Sequence, residues 1–367
     1  MELTELIRRN ILEIKPYVPG KPIEEVEREL GLTNVIKMAS NENPLGPGKK
    51  ALEAMREAAV KMHLYPDGNC YYLKTELAQK IGVTEENIIV GNGSDEVLKM
   101  LGETFLNDGD ECIMAIPTFS EYEFVTNLMN AKNIKIPLDN FRHNLAKMKA
   151  AITAKTKMIF ICSPNNPTGT IVTKEELDKF FEGLPENIIV VLDEAYYEYV
   201  DSPEYHNSLE YLQKGKNVII LRTFSKIYAL GGLRIGYGVA SKEMIALLNR
   251  VREPFNVNQM AQSAALASLK DQAHVEESLR VNQEGKEFLT SKFKELNISY
   301  VPTQANFIFL QIGVDSKRFF QEMLQEGIII RTGDIFGLPD FIRVTIGTPE
   351  QNQRFIEGTM KVLQRLK

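Results

Sequence analysis

The chain has 367 residues, enough for one large or two moderate domains around a substantial core. Hydrophobic residues make up 44% and charged residues 25%, with a formal net charge of −6. That balance is ordinary for a globular protein and, with no basic face, argues against a nucleic-acid partner. Cys70, Cys112 and Cys162 are widely spaced without a CxxC, and His63, His143, His206 and His274 form no HxxxH pair. No disulfide framework and no metal site are expected, and a cytoplasmic setting fits.

In chain order, the opening MELTELIRRNILEIKPY is charged and helical in pattern, with no apolar signal core. No run of about 18 apolar residues follows, so no membrane span is expected. Short apolar runs then recur at 87–93, 111–117, 157–164, 187–196 and 217–226. Apolar runs without alternation predict strands buried on both faces, as in a parallel sheet. Helical patterns lie between them. SDEVLKMLGETFL opens with Ser94-Asp95, which predicts an N-cap pair, and TKEELDKFFEGL carries a capping box in Thr173 and Glu176. Long helices are expected over 259–296, then strands at 301–312, 326–333 and 340–348 around one helix. The pattern is α/β: a large domain with a mostly parallel central sheet, plus a smaller α+β C-terminal domain.

Ligands of an open parallel sheet bind beyond the carboxyl ends of its strands. Polar clusters follow those ends in GNGSDE, IPTFSEY, SPNNPTG, DEAYYEY and TFSK. Pyridoxal 5'-phosphate (PLP) needs a lysine for a Schiff base, a carboxylate against its ring nitrogen and a phosphate cup. Lys226 is the candidate lysine, although taken alone it also reads as a strand-end cation reaching to water. Asp193 would hold the ring nitrogen protonated; by itself it could equally cap the next element. Tyr196 and Asn166 could hold the phenolic oxygen, and Asn166 also fits plain turn chemistry. Ser94 and Asp95 at a helix start, Thr223, Ser225 and Arg234 would form the cup. Gly231 and Gly232 would let the backbone fold back toward it. Phe119 could stack on the ring.

In SPNNPTG, DEAY and SK followed by GLRIGYG, the chain resembles the fold-type I PLP-dependent aminotransferases over essentially its whole length. KPYVPGKPIEEV, NENPLGP, YPDG, GNGSDE and RVTIGTPEQN are similar to the histidinol-phosphate branch. The resemblance implies an N-terminal arm over 1–30, a PLP-binding domain over 31–255 and a small domain over 256–367. It implies a homodimer in which Tyr65 reaches the cofactor phosphate of the neighbouring subunit. Arg343 would bind the carboxylate of glutamate, with Arg331 as a second cation, and Tyr17 would close over the substrate. Arg331 and Arg343 together would serve the phosphate of histidinol phosphate in one half-reaction and the carboxylates of glutamate in the other.

The implied reaction is transamination between L-histidinol phosphate and 2-oxoglutarate, in histidine biosynthesis. An aromatic amino-acid aminotransferase, alone or as a second activity of the same site, is the alternative. A PLP-dependent decarboxylase of a phosphorylated amino acid would need no oxo-acid acceptor. A PLP-fold regulator would be expected to carry a DNA-binding module, and none is read in this sequence.

Overall fold

The computed structural model describes residues 3–14, 16 and 20–366. Its first strand is β1 (Ile36–Lys37). Seven strands follow: β2 (Ile88–Gly91), β3 (Glu111–Ile116), β4 (Lys132–Pro137), β5 (Thr156–Cys162), β6 (Ile189–Asp193), β7 (Val218–Thr223) and β8 (Gly236–Ala240). They form one sheet in the order β2-β8-β7-β6-β5-β3-β4. The β4-β3-β5-β6-β7 pairs are parallel, and β8 runs antiparallel to both β7 and β2. The apolar runs earn both-face burial: β2, β6 and β8 are buried at every position. β4, KNIKIP, is the exposed edge. It alternates polar and apolar residues, so no continuous apolar run marks it.

The remaining strands are β9 (Ser299–Val301), β10 (Phe307–Gln311), β11 (Ile328–Ile329), β12 (Arg331–Thr332) and β13 (Phe341–Thr345). Four of them make an antiparallel sheet ordered β12-β13-β10-β9. The run expected at 326–333 is split. β11 leaves to pair in parallel with β1, and β12 pairs with β13. Helices Gln259–Leu269 and Gln272–Glu295 fill the expected helical stretch. The helix after β2 departs from expectation at its cap. Gly93 is the N-cap, Ser94 is the first helical residue, and no side chain caps it. The capping box of Thr173 and Glu176 forms as the sequence predicts.

Candidate active site

Most of the candidate side chains collect where β3, β5, β6 and β7 end and β8 begins. Asp193 closes β6 and is buried. Its Oδ1 accepts the backbone N–H of Ala195 at 3.1 Å, and its Oδ2 accepts the Tyr122 hydroxyl at 2.6 Å. Burial pushes this carboxyl up to about 6, against the pull of those two hydrogen bonds. Tyr122 is itself fully buried, stacked on Phe160 at 4.8 Å and edge-on to Phe119 at 5.6 Å. The next residue, Glu194, points to the other face of the strand. Its carboxylate accepts from Arg222 at 2.9 Å and from Ser208 at 2.5 Å. The Arg222 guanidinium lies 3.8 Å over the Tyr197 ring.

Lys226 follows β7 on a turn in which Ala229 N–H donates to its carbonyl at 3.0 Å. It is half-buried, and Nζ lies 5.4 Å from the Tyr196 ring centre. Burial first, then repulsion from Arg343, lowers its ammonium to about 8, with Arg234 a smaller contributor. The depressed amine expected from the sequence is present, but the main neighbouring cation is Arg343.

At the start of β8, Arg234 donates to Asp95 at 2.9 Å and to the Gly231 carbonyl at 3.2 Å. The left-handed residues of this turn are Ala229 (φ 56°) and Arg234 (φ 53°), so the expected flexing at Gly231 and Gly232 is corrected. A Cβ at Gly232 would meet open space. Gly93 and Gly236 are the restrictive positions instead. At Gly93 φ is 84°, and a Cβ would stand 2.7 Å from Arg234 Nη2. At Gly236 it would stand 2.4 Å from the backbone nitrogen of Ser94. Two chain segments thus meet backbone to backbone at the N-terminus of helix Ser94–Phe105, a concave, donor-rich cradle of the kind that holds a phosphate. Thr223 Oγ1 accepts the Ser225 N–H at 3.0 Å on the neighbouring turn. Asp95 presents a carboxylate to Arg234, so its side chain orients the cation and only its backbone suits an anion.

The loop after β5 divides its two asparagines. Asn165 is fully buried and structural, bonded to Thr118 at 2.7 Å and Thr168 at 3.0 Å. Asn166 accepts from Arg343 Nη1 at 2.5 Å. Arg343 also donates to the Ala39 carbonyl at 2.6 Å. Lys226 donates to the Ser40 carbonyl at 3.4 Å, and Asn306 to the Asn41 carbonyl at 3.0 Å. Asn41 in turn gives its amide N–H to Thr345 and its side-chain N–H to the Tyr196 hydroxyl, each at 2.9 Å.

Arg331 stands opposite Arg343 in the β12–β13 register. Tyr65 is 83% exposed and stacks on Phe255 at 4.8 Å. Tyr17 lies outside the described residues. Sequence reasoning missed Tyr122 and left Asn41 without a role. Tyr122 lies on helix Ser120–Leu128, three residues after Phe119, which stands at the helix N-cap with extended backbone.

The donor set fits PLP. An acidic group, a depressed lysine, a neutral amide, a hydroxyl and a donor-lined cradle converge on one rim. Residues 33–358 match the sequence model of the family described as aminotransferase class I and II.

The chain belongs to that aminotransferase family.

Over 357 residues this aminotransferase is 60% identical to the histidinol-phosphate aminotransferase of Moorella thermoacetica, covering 97% of this chain and 92% of that one. It is 49% identical over 358 residues to the one of Caldicellulosiruptor saccharolyticus, covering 98% of this chain and all of that one (100%). Among solved structures, it superposes on histidinol-phosphate aminotransferase from Sinorhizobium meliloti in complex with pyridoxal-5'-phosphate. The TM-score is 0.90, the identity 25%, and the coverage 97% of each chain. The fold is the fold-type I transferase architecture. No helix among the described residues is long and apolar enough to cross a membrane.

Proposed function

We propose that this aminotransferase uses PLP to transfer the amino group of L-histidinol phosphate to 2-oxoglutarate, giving imidazole acetol phosphate and glutamate. The observation that carries this reading is its 60% identity, over nearly the full length of both chains, to a histidinol-phosphate aminotransferase.

When bound, PLP supplies a carbonyl that exchanges amines and a ring that withdraws electrons. The chain's residues do the rest. Lys226, with an ammonium near 8, keeps about a tenth of its amine neutral at pH 7, ready to bond covalently. Once displaced, Nζ carries the proton removed from the substrate carbon. Asp193 would face the ring nitrogen and keep a proton there. Asn166 and Tyr196 would hold the phenolic oxygen, and Phe119 would cover a ring face. Ser94, the backbone of Asp95, Thr223, Ser225 and Arg234 take the phosphate. Arg343 and Arg331 take the substrate anion, which is a phosphate in one half-reaction and a carboxylate in the other. Tyr17 belongs to this reading as a residue that closes over the substrate.

The same reading has residues 1–30 as an arm, 31–255 as the cofactor-holding part and 256–367 as the smaller part, in a cytoplasmic homodimer. The exposure of Tyr65 supports a role toward a second subunit. Mixing Tyr65→Ala and Lys226→Ala chains, each inactive alone, would restore activity only if sites are shared.

The deciding experiment adds L-histidinol phosphate to the yellow PLP-loaded protein without acceptor. The expected result is loss of the cofactor's visible band, restored by 2-oxoglutarate. Bleaching by phenylalanine or tyrosine but not by histidinol phosphate would replace this reading with an aromatic aminotransferase.

A further inference from the structure

We infer that Tyr122 is a positioning residue for the cofactor: its hydroxyl aims the Asp193 carboxylate and keeps it ionised for the ring nitrogen. This deepens the proposed PLP reading and rests on it.

The geometry is specific. Asp193 presents two oxygens, and each has one donor, the Ala195 N–H and the Tyr122 hydroxyl. The first donor comes from the backbone two residues on and would survive most substitutions. The second comes from a different element, the helix after β3, and alone fixes Oδ2 from outside the β6 turn. Tyr122 cannot drift. It is fully buried between Phe160 and Phe119, so its ring is set by packing and its hydroxyl by the ring. Phe119 is the residue proposed to cover the cofactor. The start of one helix therefore carries both the proposed ring cover, at its cap, and the carboxylate's clamp.

The charges around the pair make a donor necessary. Glu194 and Asp95 both push the Asp193 carboxyl toward its neutral form, as burial does. Cys162, beside Asp193 in the β5–β6 register, is buried, and its thiol is driven up and stays neutral. Tyr196 is likewise held neutral by burial. Tyr122 is held far above the ordinary phenol value, so it remains a donor. Against burial, Asp95 and Glu194, its hydroxyl is the side chain that favours the charged form.

The test is the PLP dissociation constant of cofactor-free protein, unsubstituted and Tyr122→Phe, measured by absorbance from pH 5.5 to pH 9. Titrations of PLP itself and of Lys226 are common to both proteins and cancel in the ratio. The expected ratio is near one at pH 9, where Asp193 is ionised in both. It rises to about tenfold weaker binding at pH 5.5, the size expected for losing one hydrogen bond to a charged group. Phe160→Leu, which keeps the hydroxyl but loosens the packing that sets the ring, should give a smaller change with the same pH dependence. A Tyr122→Phe ratio that is flat across pH, whether at one or above it, overturns the inference alone. Failure of the unsubstituted protein to bind PLP at any pH overturns the functional reading and this inference together.

Discussion

Arg343 donates to the side-chain oxygen of Asn166 at 2.5 Å, so the four-stranded sheet touches the loop that follows β5 of the seven-stranded one. A cation from one unit and an amide from the other meet where a substrate anion would arrive. The same guanidinium depresses the ammonium of Lys226. On the proposed reading, one residue thus couples anion recognition to the readiness of the amine.

Replacing Arg343 with alanine should lower kcat/KM for both half-reactions by roughly 10- to 100-fold, the loss of a charge-assisted contact. Arg343→Lys should recover only part, because an ammonium lacks the planar fork. Unchanged single-turnover rates with both histidinol phosphate and glutamate would remove Arg343 from the anion site.

Asp193→Asn should stabilise the cofactor-free protein while weakening PLP binding. The folded carboxyl stands near 6, above its ordinary 3.8. The native state therefore binds the proton more tightly than the unfolded chain. Stability falls as pH rises from 3.8 through 6, and the cost, up to about 3 kcal/mol, is complete above that. The melting temperature of Asp193→Asn should exceed that of the parent at pH 8 and converge with it near pH 4. A higher melting temperature for the parent at pH 8 would contradict this.

Glu194 carries the opposite sign. Burial opposes its charge, but Arg222, His206 and Ser208 outweigh burial and hold its carboxyl at about 2, against an ordinary 4.5. Its stabilisation is present above the ordinary value and is lost as pH falls through about 2. Glu194→Ala strands the Arg222 guanidinium, whose side chain is 12% exposed. A loss of about 3–5 kcal/mol is expected, read by urea unfolding at pH 7. A loss under about 1 kcal/mol would mean that water replaces the carboxylate there.

Gly93→Ala and Gly236→Ala should separate cofactor binding from folding. The new Cβ at Gly93 strikes the movable end of Arg234 at a residue whose φ of 84° strains any side chain, so PLP affinity should drop about tenfold with a fall in melting temperature that still leaves the chain folded. The one at Gly236 strikes backbone, so the chain should fold poorly or not at all. Equal effects of the two on melting temperature would argue against the cradle.

Much of the site is legible because its residues follow strand ends. Asp193 and Thr223 end β6 and β7, and Lys226 and Asn166 lie a few residues past β7 and β5. An apolar run that stops at a polar residue marks such a place without knowledge of the fold. What escapes is contact between segments distant in sequence. Tyr122 reads as one more aromatic on an amphipathic helix until Asp193, 71 residues away, is found against it. Asn41 belongs to a polar stretch without periodicity, and its partners lie 155 and 304 residues on. The antiparallel course of β8 is equally hidden, since GYGVA is as apolar as its parallel neighbours. The split of β11 from β12 depends on β1, a two-residue strand too short to carry a pattern.

The span from Ala39 to Asn41 is made near the start of synthesis, yet three successive carbonyls of it are gripped by Arg343, Lys226 and Asn306. Two of those hands, and Thr345, emerge only in the last sixth of the chain. A nascent or C-terminally truncated polypeptide would therefore own its lysine and its acid long before it owned the wall around them. On the proposed reading, the wall that receives the substrate is the last part of the site to leave the ribosome.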